Sequence, residues 1–486
     1  MKPDELFRTH SNIFFVGIKG TGVCALAEMA HDAGIKVSGS DTSEVFYTDK
    51  ILKELNIPYH ESFDASLISA ETDVVIHSAA YSPGTNPQLK RALELNIPVI
   101  KYTDALGAWS AKFDSTGVCG VHGKTTTTAM CGVCARAAGI PARILTGSAA
   151  LDFGGRSTLN LGDKYFIAET CEYRGHFMSF HPKRVILTSV ESDHQDYFPD
   201  YNSIRDAFVE YCRLLPEGGQ LIFCADDAGA AETARIIEDE RHGIELIPYG
   251  FTADSDYRII SYDVRGKTAC FTLAGFPVEF KSRIPGRHEA LNASAAIALT
   301  FLLAKREFAA RDGVVLSGEK IQSVQNALEN FKGTKRRGEI IGEAGGIIFM
   351  DDYGHHPTAI KTTLAGIKSF YPGRRLIVSF MSHTYTRTSA LLEEFASAFT
   401  DADILFLHKI YASAREDYGG DVDGKTLYKK TSAFRSSGSG GETYYVDAPL
   451  DAFDKLRETL KEGDIFITLG AGNNWPLAEK LFAHFK

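Results

Sequence analysis

The sequence predicts an α/β protein of three domains: an N-terminal Rossmann-like domain, a central P-loop mononucleotide-binding domain on a parallel or mixed sheet, and a C-terminal Rossmann-like domain. Three observations predict it. Short apolar strands alternate with helical patterns along nearly all of the 486 residues. The turn Gly120-Val121-His122-Gly123-Lys124-Thr125 stands between a predicted strand and a predicted helix. Polar or glycine-rich clusters follow several other predicted strands, where open α/β sheets place their ligands. The domains are expected at 1–110, 111–332 and 333–486.

The first domain alternates strand and helix. Strands are predicted at Ile13–Val16, Lys36–Gly39, Val74–His77 and Val99–Ile100, with helices at Val23–Ala33 and Pro87–Leu95. The second opens with the strand Thr116–Cys119, the lysine turn and the helix Ala129–Ala138. Further strands are expected at Tyr165–Ala168, Arg184–Thr188 and Gln220–Cys224, then a long helix at Glu289–Ala304. The third carries strands at Gly346–Met350, Arg375–Phe380, Ile404–His408 and Asp464–Leu469, and a helix at Thr358–Phe370 that Pro357 introduces. The run Ser436–Gly441 reads as a flexible surface loop.

Composition bounds the function. A net charge of −10 argues against a broad nucleic-acid surface. Residues 1–12 are polar, and no apolar run approaches the roughly 20 residues of a membrane span. A cytosolic protein is expected, with no nucleic-acid or membrane partner. The eight cysteines are then reduced thiols. Cys131 and Cys134 fall one helical turn apart and read as small buried side chains rather than metal ligands.

The lysine turn is a phosphate cradle. Backbone N–H groups at a helix N-terminus point at an anion, and the helix dipole favours negative charge there. Gly120 and Gly123 let the backbone approach; Lys124 reaches the terminal phosphates, and Thr125 and Thr126 follow at the helix start. A second glycine turn, Gly17-Ile18-Lys19-Gly20-Thr21-Gly22, suits a diphosphate, with Asp41 at the end of the next strand. Asp41 would accept from a ribose or uracil group, or hold a turn. Glu169 follows an apolar strand, and Glu191-Ser192-Asp193-His194 follows another, placing carboxylates where a nucleotide's Mg²⁺ needs them. His288 and Asn292 open an alanine-rich helix. Asp351-Asp352-Tyr353-Gly354-His355-His356 and Ser382-His383-Thr384-Tyr385-Thr386-Arg387 each follow a strand. Arg387 suits a carboxylate, which it can grip with two N–H groups.

These motifs, in this order, resemble the Mur ligases: GxxGxG, GVHGKTTTT, AETCEYRGHF, ESDHQDYF, GRHEALNASAA, KRR, DDYGHHPT and HTYTRT. The resemblance implies ATP-dependent ligation of an amino acid to the lactyl carboxylate of a UDP-sugar. It implies a UDP-binding domain, an ATP-binding domain and a C-terminal domain that closes over ATP and the amino acid. The motifs are nearest the branch that adds L-alanine to UDP-N-acetylmuramate in peptidoglycan precursor synthesis, with Mg²⁺ or Mn²⁺, acting as a monomer or homodimer. By resemblance Lys124 binds the β/γ-phosphates; Thr125 and Glu169 ligate Mg²⁺, and His194 a second ion. Gly17, Gly20 and Gly22 face the diphosphate, His288 and Asn292 the adenine, Asp351 the ribose. Arg337 directs positive charge at the nucleotide. His355, His383 and Arg387 lie near alanine and the reacting carboxylate; His194 and His355 are both candidate bases.

Three departures from the family pattern stand out. Glu289 replaces an amide donor in HNxxN, no Phe follows Arg337, and Met381-Ser382 stands where proline is common. The nearest alternative adds a murein tripeptide to the same sugar. Alternatives of other classes are an NAD-dependent oxidoreductase, which leaves the Lys124 turn unexplained, and a UDP-sugar sensor without catalysis.

Overall fold

The computed structural model describes residues 6–7, 11–241, 243–312, 317–412, 422–438 and 441–486. Most of the polar N-terminus read from sequence therefore lies outside the described residues. The chain forms two compact units. One comprises Met1–Ser189, Asp206–Pro248 and Ala295–Ile321; the other comprises Val190–Arg205, Tyr249–Ser294 and Gln322–Lys486.

The first unit begins with β1 (Asn12–Val16), α1 (Thr21–Asp32), β2 (Lys36–Ser40), α2 (Thr48–Glu54), β3 (Tyr59–His60), β4 (Val74–His77), α3 (Pro87–Glu94), β5 (Val99–Lys101) and α4 (Tyr102–Ser110). These strands are parallel, in the order β3-β2-β1-β4-β5. Ile13 to Val16 are all buried, as in a parallel strand covered on both faces. The strand order reverses between β1 and β4, so Gly17 emerges at the switch point, where such sheets bind ligands. Asn86 caps α3 by accepting from the N–H groups of Gln88 and Leu89, and Pro87 starts the helix.

The next sheet contains β6 (Asp114–Cys119), β7 (Ala142–Ala150), β8 (Arg156–Asn160), β9 (Tyr165–Glu169), β10 (Arg184–Leu187), β11 (Gln220–Cys224) and β12 (Glu245–Tyr249), in the order β12-β11-β10-β6-β9-β7-β8. Its helices are α5 (Lys124–Ala138), α6 (Tyr201–Cys212) and α7 (Ala228–Glu240). β6 runs parallel to both β9 and β10, while β7 and β8 form an antiparallel edge. The helix expected from Ala129 starts five residues earlier, at Lys124. Four successive threonines are poor helix formers, but Thr125 to Thr128 are all buried, and packing overrides propensity. Gly139, in the left-handed region at φ 73°, ends the helix.

The second unit holds a small antiparallel sheet not foreseen from sequence: β13 (Ile259–Val264), β14 (Ala269–Leu273) and β15 (Glu279–Ser282). α8 (Arg287–Asp312) and α9 (Gly318–Glu329) follow in the chain. A final sheet contains β16 (Glu339–Ala344), β17 (Ile347–Asp352), β18 (Leu376–Phe380), β19 (Ile404–Leu407), β20 (Glu442–Tyr445) and β21 (Ile465–Leu469), ordered β16-β17-β21-β18-β19-β20. Only the β16–β17 pairing is antiparallel. Its helices are α10 (Pro357–Phe370), α11 (Tyr385–Ala390), α12 (Leu392–Ala396), α13 (Gly424–Ser437), α14 (Phe453–Thr459) and α15 (Trp475–Phe485). Alternate strand residues serve two cores. Met350, Val378 and Ile467 cluster with Ile360 and Leu364 of α10. Phe349, Ile377 and Phe466 cluster with Leu456, Leu477 and Leu481. Each fully buried side chain of this kind contributes about 2 kcal/mol.

The expected loop Ser436–Gly441 needs correction. Ser436 and Ser437 belong to α13, while Ser439 and Gly440 lie outside the described residues. Arg435 is 1% exposed and bonds the Ala402 carbonyl at 2.8 Å and Thr443 Oγ1 at 3.0 Å, which anchors the end of the helix.

Candidate active site

The lysine turn sits at the C-terminal end of β6, between the ends of β9 and β10. Gly120 has φ +130°, and a Cβ there would lie 2.2 Å from Thr188 Oγ1. The turn is tied to the end of β10: the Val121 N–H donates to the Ser189 carbonyl at 3.0 Å, and the His122 N–H to Ser189 Oγ at 2.8 Å. Gly123, at φ 79°, swings the chain into α5. Lys124 Nζ lies 3.0 Å from Glu172 Oε2 and 3.2 Å from Oε1, and also donates to the Gly120 carbonyl. Burial disfavours its charge, but nearby carboxylates, Glu172 foremost, outweigh burial and raise its pKa. Glu169, the last residue of β9, accepts from the Gly147 N–H at 2.7 Å. A Cβ at position 147 would lie 2.4 Å from Glu169 Oε2, so glycine makes room for the carboxylate. Thr125 and Thr126 are buried in the first turn of α5.

In the other glycine turn Gly17 has φ +82° and donates its N–H to the Ser40 carbonyl at 2.8 Å. Tyr81 packs on Gly17 and Tyr102 on Gly22, each where a Cβ would lie. Asp41 Oδ2 accepts from the Lys19 N–H at 2.7 Å, and Oδ1 from the Thr42 N–H at 2.8 Å. Asp41 thus holds the turn in this structure. Lys19 does not face outward with the turn. Its ammonium is buried against Asp49, at 3.0 Å, and Glu61, at 2.8 Å.

The second unit gathers the histidines. His355 and His356 have separate tasks. His356 caps α10 by accepting from the Thr358 N–H at 3.3 Å, and its Nε2 lies 3.2 Å from the Ser192 carbonyl. His355 Nδ1 donates to the Tyr353 carbonyl at 3.0 Å, and its Nε2 lies 3.9 Å from Asp193 Oδ2. Burial and then the Arg387 charge hold His355 well below the usual histidine range, so its imidazole is neutral. The ring of His383 lies 6.1 Å from that of His355. Arg387 is 3% exposed and donates from Nε to Asp193 Oδ1 at 2.8 Å. Burial alone would raise the pKa of Asp193, but the Arg387 charge beside it holds it well below the ordinary carboxylate range. His194 adopts φ 54°, beside Asp193.

Asp351 is 2% exposed, and both its oxygens are used: Arg336 Nε lies 2.9 Å from Oδ2, and Thr468 Oγ1 2.6 Å from Oδ1. Arg336, not Arg337, makes this bond; Arg337 lies over the Tyr353 ring, 4.8 Å from its centroid. Asp352 accepts from the N–H groups of Gly338 and Gly354. His288 Nε2 lies 3.3 Å from Glu289 Oε1. Burial opposes the His288 charge, yet Glu289 outweighs it and raises the pKa. Asn292 is buried one turn on, in the same helix.

Family models match three stretches of the chain: the Mur ligase family catalytic domain at residues 12–114, the Mur ligase middle domain at 118–300, and the Mur ligase glutamate ligase domain at 336–472. The chain is 46% identical over 474 residues to the UDP-N-acetylmuramate–L-alanine ligase of Treponema pallidum (strain Nichols), covering 98% of this chain and 96% of that one. The chain belongs to the Mur ligase family. It is also 39% identical to the protein of the same name from Borreliella burgdorferi, across 99% of this chain and all of that one. Among solved structures, the UDP-N-acetylmuramate-alanine ligase of Thermotoga maritima is similar with a TM-score of 0.74 and 23% identity, over 98% of this chain and 99% of that one. A murein peptide ligase from Psychrobacter arcticus has a TM-score of 0.64 at 22% identity, over 98% of each chain. These two likenesses show the shared fold.

The Mur ligase fold thus brings Lys124, Thr125, Glu169 and Glu172 to neighbouring strand ends in one unit. It brings Asp193, His194, His355, His383 and Arg387 together in the other. Sequence reasoning passed over Gly147, Thr188 and Ser189. It gave no separate role to Glu172, Asp193 or Arg336, although each lies inside a motif already noted.

Proposed function

We propose that this Mur ligase joins L-alanine to UDP-N-acetylmuramate at the expense of ATP, in cytoplasmic peptidoglycan precursor synthesis. The observation that carries the reading is the cation Lys124 at the end of β6 with the carboxylate Glu169 at the end of the adjoining β9. Full-length similarity to alanine-adding ligases narrows the substrates. Among the described residues no helix is long and apolar enough to cross a membrane. The domain limits we propose are 1–110, 111–332 and 333–486; the family matches at 12–114, 118–300 and 336–472 fall in the same order, the first running four residues past residue 110.

The chemistry answers a charge problem. The lactyl carboxylate and the ATP γ-phosphate repel each other, and Lys124 lowers that repulsion as the carboxylate oxygen attacks phosphorus and ADP leaves. Thr125 and Glu169 offer hard oxygen donors suited to Mg²⁺, with His194 at a second ion; bound Mg²⁺ would neutralise phosphate charge. The alanine amine then attacks the acyl phosphate carbon, inorganic phosphate departs, and an amide forms. His355, neutral and with Nδ1–H committed to the Tyr353 carbonyl, presents Nε2 as the base for the amine proton. Arg387 and His383 hold the amino acid. Gly17, Gly20 and Gly22 receive the diphosphate at the β1/β4 switch point, and His288, Asn292, Arg337 and Asp351 serve the nucleotide.

The test is phosphate release from ATP with UDP-N-acetylmuramate and single amino acids, or murein tripeptide, with and without Mg²⁺. Release is expected with L-alanine and Mg²⁺. Release with tripeptide but not alanine would reassign the substrate.

A further inference from the structure

Asp193 has no step of its own in the reaction above, yet it is buried and paired with a buried arginine. Its side chain is 3% exposed and that of Arg387 is 4% exposed. Oδ1 accepts from Arg387 Nε at 2.8 Å across 194 positions of sequence, and from the His194 N–H at 2.7 Å. Arg387 Nη1 also reaches the His383 carbonyl at 3.1 Å and His383 Nδ1 at 3.2 Å. The guanidinium is therefore gripped at Nε by a residue 194 positions away and at Nη1 by His383, four positions away. Burying such a pair costs desolvation on both sides, and apolar packing often stabilises a fold equally well. Orientation explains the pair better than stability does.

The backbone beside Arg387 points the same way. Thr384 has φ 68° and ψ 141°, a region that a β-branched residue occupies only when its surroundings force it. Its N–H donates to the Tyr411 carbonyl at 3.0 Å, and the His383 ring stacks on Tyr411. Strain at this corner brings His383 and Arg387, one helical turn apart, into contact.

We propose that Asp193 is a positioning residue that fixes the Arg387 guanidinium for the α-carboxylate of the incoming amino acid, and so governs affinity for the amino acid but not for the nucleotide. This rests on the reading of the chain as an amino-acid-adding ligase. Recognition of a carboxylate by arginine depends on the plane and direction of the N–H fork. Asp193 sets that plane before substrate arrives, which removes an ordering cost from binding.

Steady-state kinetics of wild type, Asp193→Asn, Asp193→Glu, Arg387→Gln and the double variant Asp193→Asn/Arg387→Gln decide the matter. Asp193→Asn should raise KM for L-alanine at least tenfold, and Asp193→Glu by less. KM for ATP, KM for UDP-N-acetylmuramate and the half-saturating Mg²⁺ concentration should stay within twofold. The double variant should have an alanine KM no higher than Arg387→Gln alone, because the carboxylate acts through the guanidinium. An unchanged alanine KM in Asp193→Asn, effects that multiply in the double variant, or a parallel rise in the Mg²⁺ requirement through His194 would overturn the proposal. If circular dichroism shows Asp193→Asn unfolded, Asp193→Glu carries the same comparison. Wild type active only with another amino acid defeats the alanine assignment, and the cycle is then run with that amino acid. Wild type active with alanine and matched by Asp193→Asn defeats the positioning role alone.

Discussion

The Lys124 ammonium lies 3.0 Å from Glu172 Oε2, with the lysine side chain 13% exposed and the glutamate 2% exposed. A buried ammonium without a partner would lose its proton more readily. Glu172 keeps it charged. If the turn cradles phosphate as proposed, an arriving nucleotide would compete with a carboxylate for that cation rather than with water. The cost of ordering the lysine has already been met during folding.

Lys124→Ala should therefore lower phosphate release by about 100- to 1000-fold, the usual loss when one donor to a developing charge is removed. Affinity for UDP-N-acetylmuramate, measured by calorimetry, should change less than twofold, because the sugar nucleotide is assigned to the turn after β1. A variant retaining a tenth of wild-type turnover would remove Lys124 from the transfer step.

Gly120→Ala tests the backbone rather than the charge. The added Cβ would meet Thr188 Oγ1 at 2.2 Å and the Ser189 nitrogen at 2.7 Å, at a φ of +130° that alanine avoids. The turn must move away from the end of β10, and displacements of about 1 Å cost on the order of 100-fold in such sites. kcat/KM for ATP should drop by about that factor. Near-wild-type kinetics would mean that the turn does not cradle the nucleotide.

Sequence reading succeeded where one signal dominated. The β1, β6 and β17 strands are runs ended by glycine or acids, and Gly120 to Lys124 carries its own spacing. It missed the antiparallel sheet β13–β15 because strands such as Ile259–Val264 expose half their residues and look like loop. It began α5 late because four threonines are poor helix formers, and only burial reveals how far the helix extends. It could not see that Arg336 rather than Arg337 pairs with Asp351, since that depends on the positive φ of Arg336. Nor could it tell that Asp193 meets Arg387, which is a matter of folding over 194 positions. Adjacent histidines hid different tasks: a helix cap at His356 and a neutral imidazole at His355.

His408 gives the fold a measurable pH dependence. It is 1% exposed, with Nε2 2.8 Å from Ser379 Oγ and Nδ1 2.9 Å from the Val446 carbonyl. Burial lowers its pKa to about 4. The unfolded value is about 6.5, so between these values the unfolded chain takes up a proton that the folded chain refuses. Stability is thus lost as pH falls below about 6.5. From pH 7.5 to 5.5 this one group should cost about 1.4 kcal/mol. Denaturant titrations of wild type and His408→Gln should differ in pH dependence by that amount, and parallel curves would show that His408 binds its proton equally well in the folded and unfolded chain.

His355 should separate the two halves of the reaction. Acyl phosphate formation moves no proton to this residue, whereas amide formation requires a base. His355→Ala should reduce alanine-dependent turnover by about 100- to 10,000-fold. Trapping of the acyl phosphate with hydroxylamine, in the absence of alanine, should continue at close to the wild-type rate. The pH profile supplies an independent check. Burial and Arg387 hold the imidazole neutral well below the ordinary histidine range, so the acid limb of kcat should lie below that of an ordinary histidine. Arg387→Gln removes the neighbouring positive charge and should move that limb upward. A limb that stays in place in Arg387→Gln, or equal loss of trapping and turnover in His355→Ala, would pass the role of base to another group.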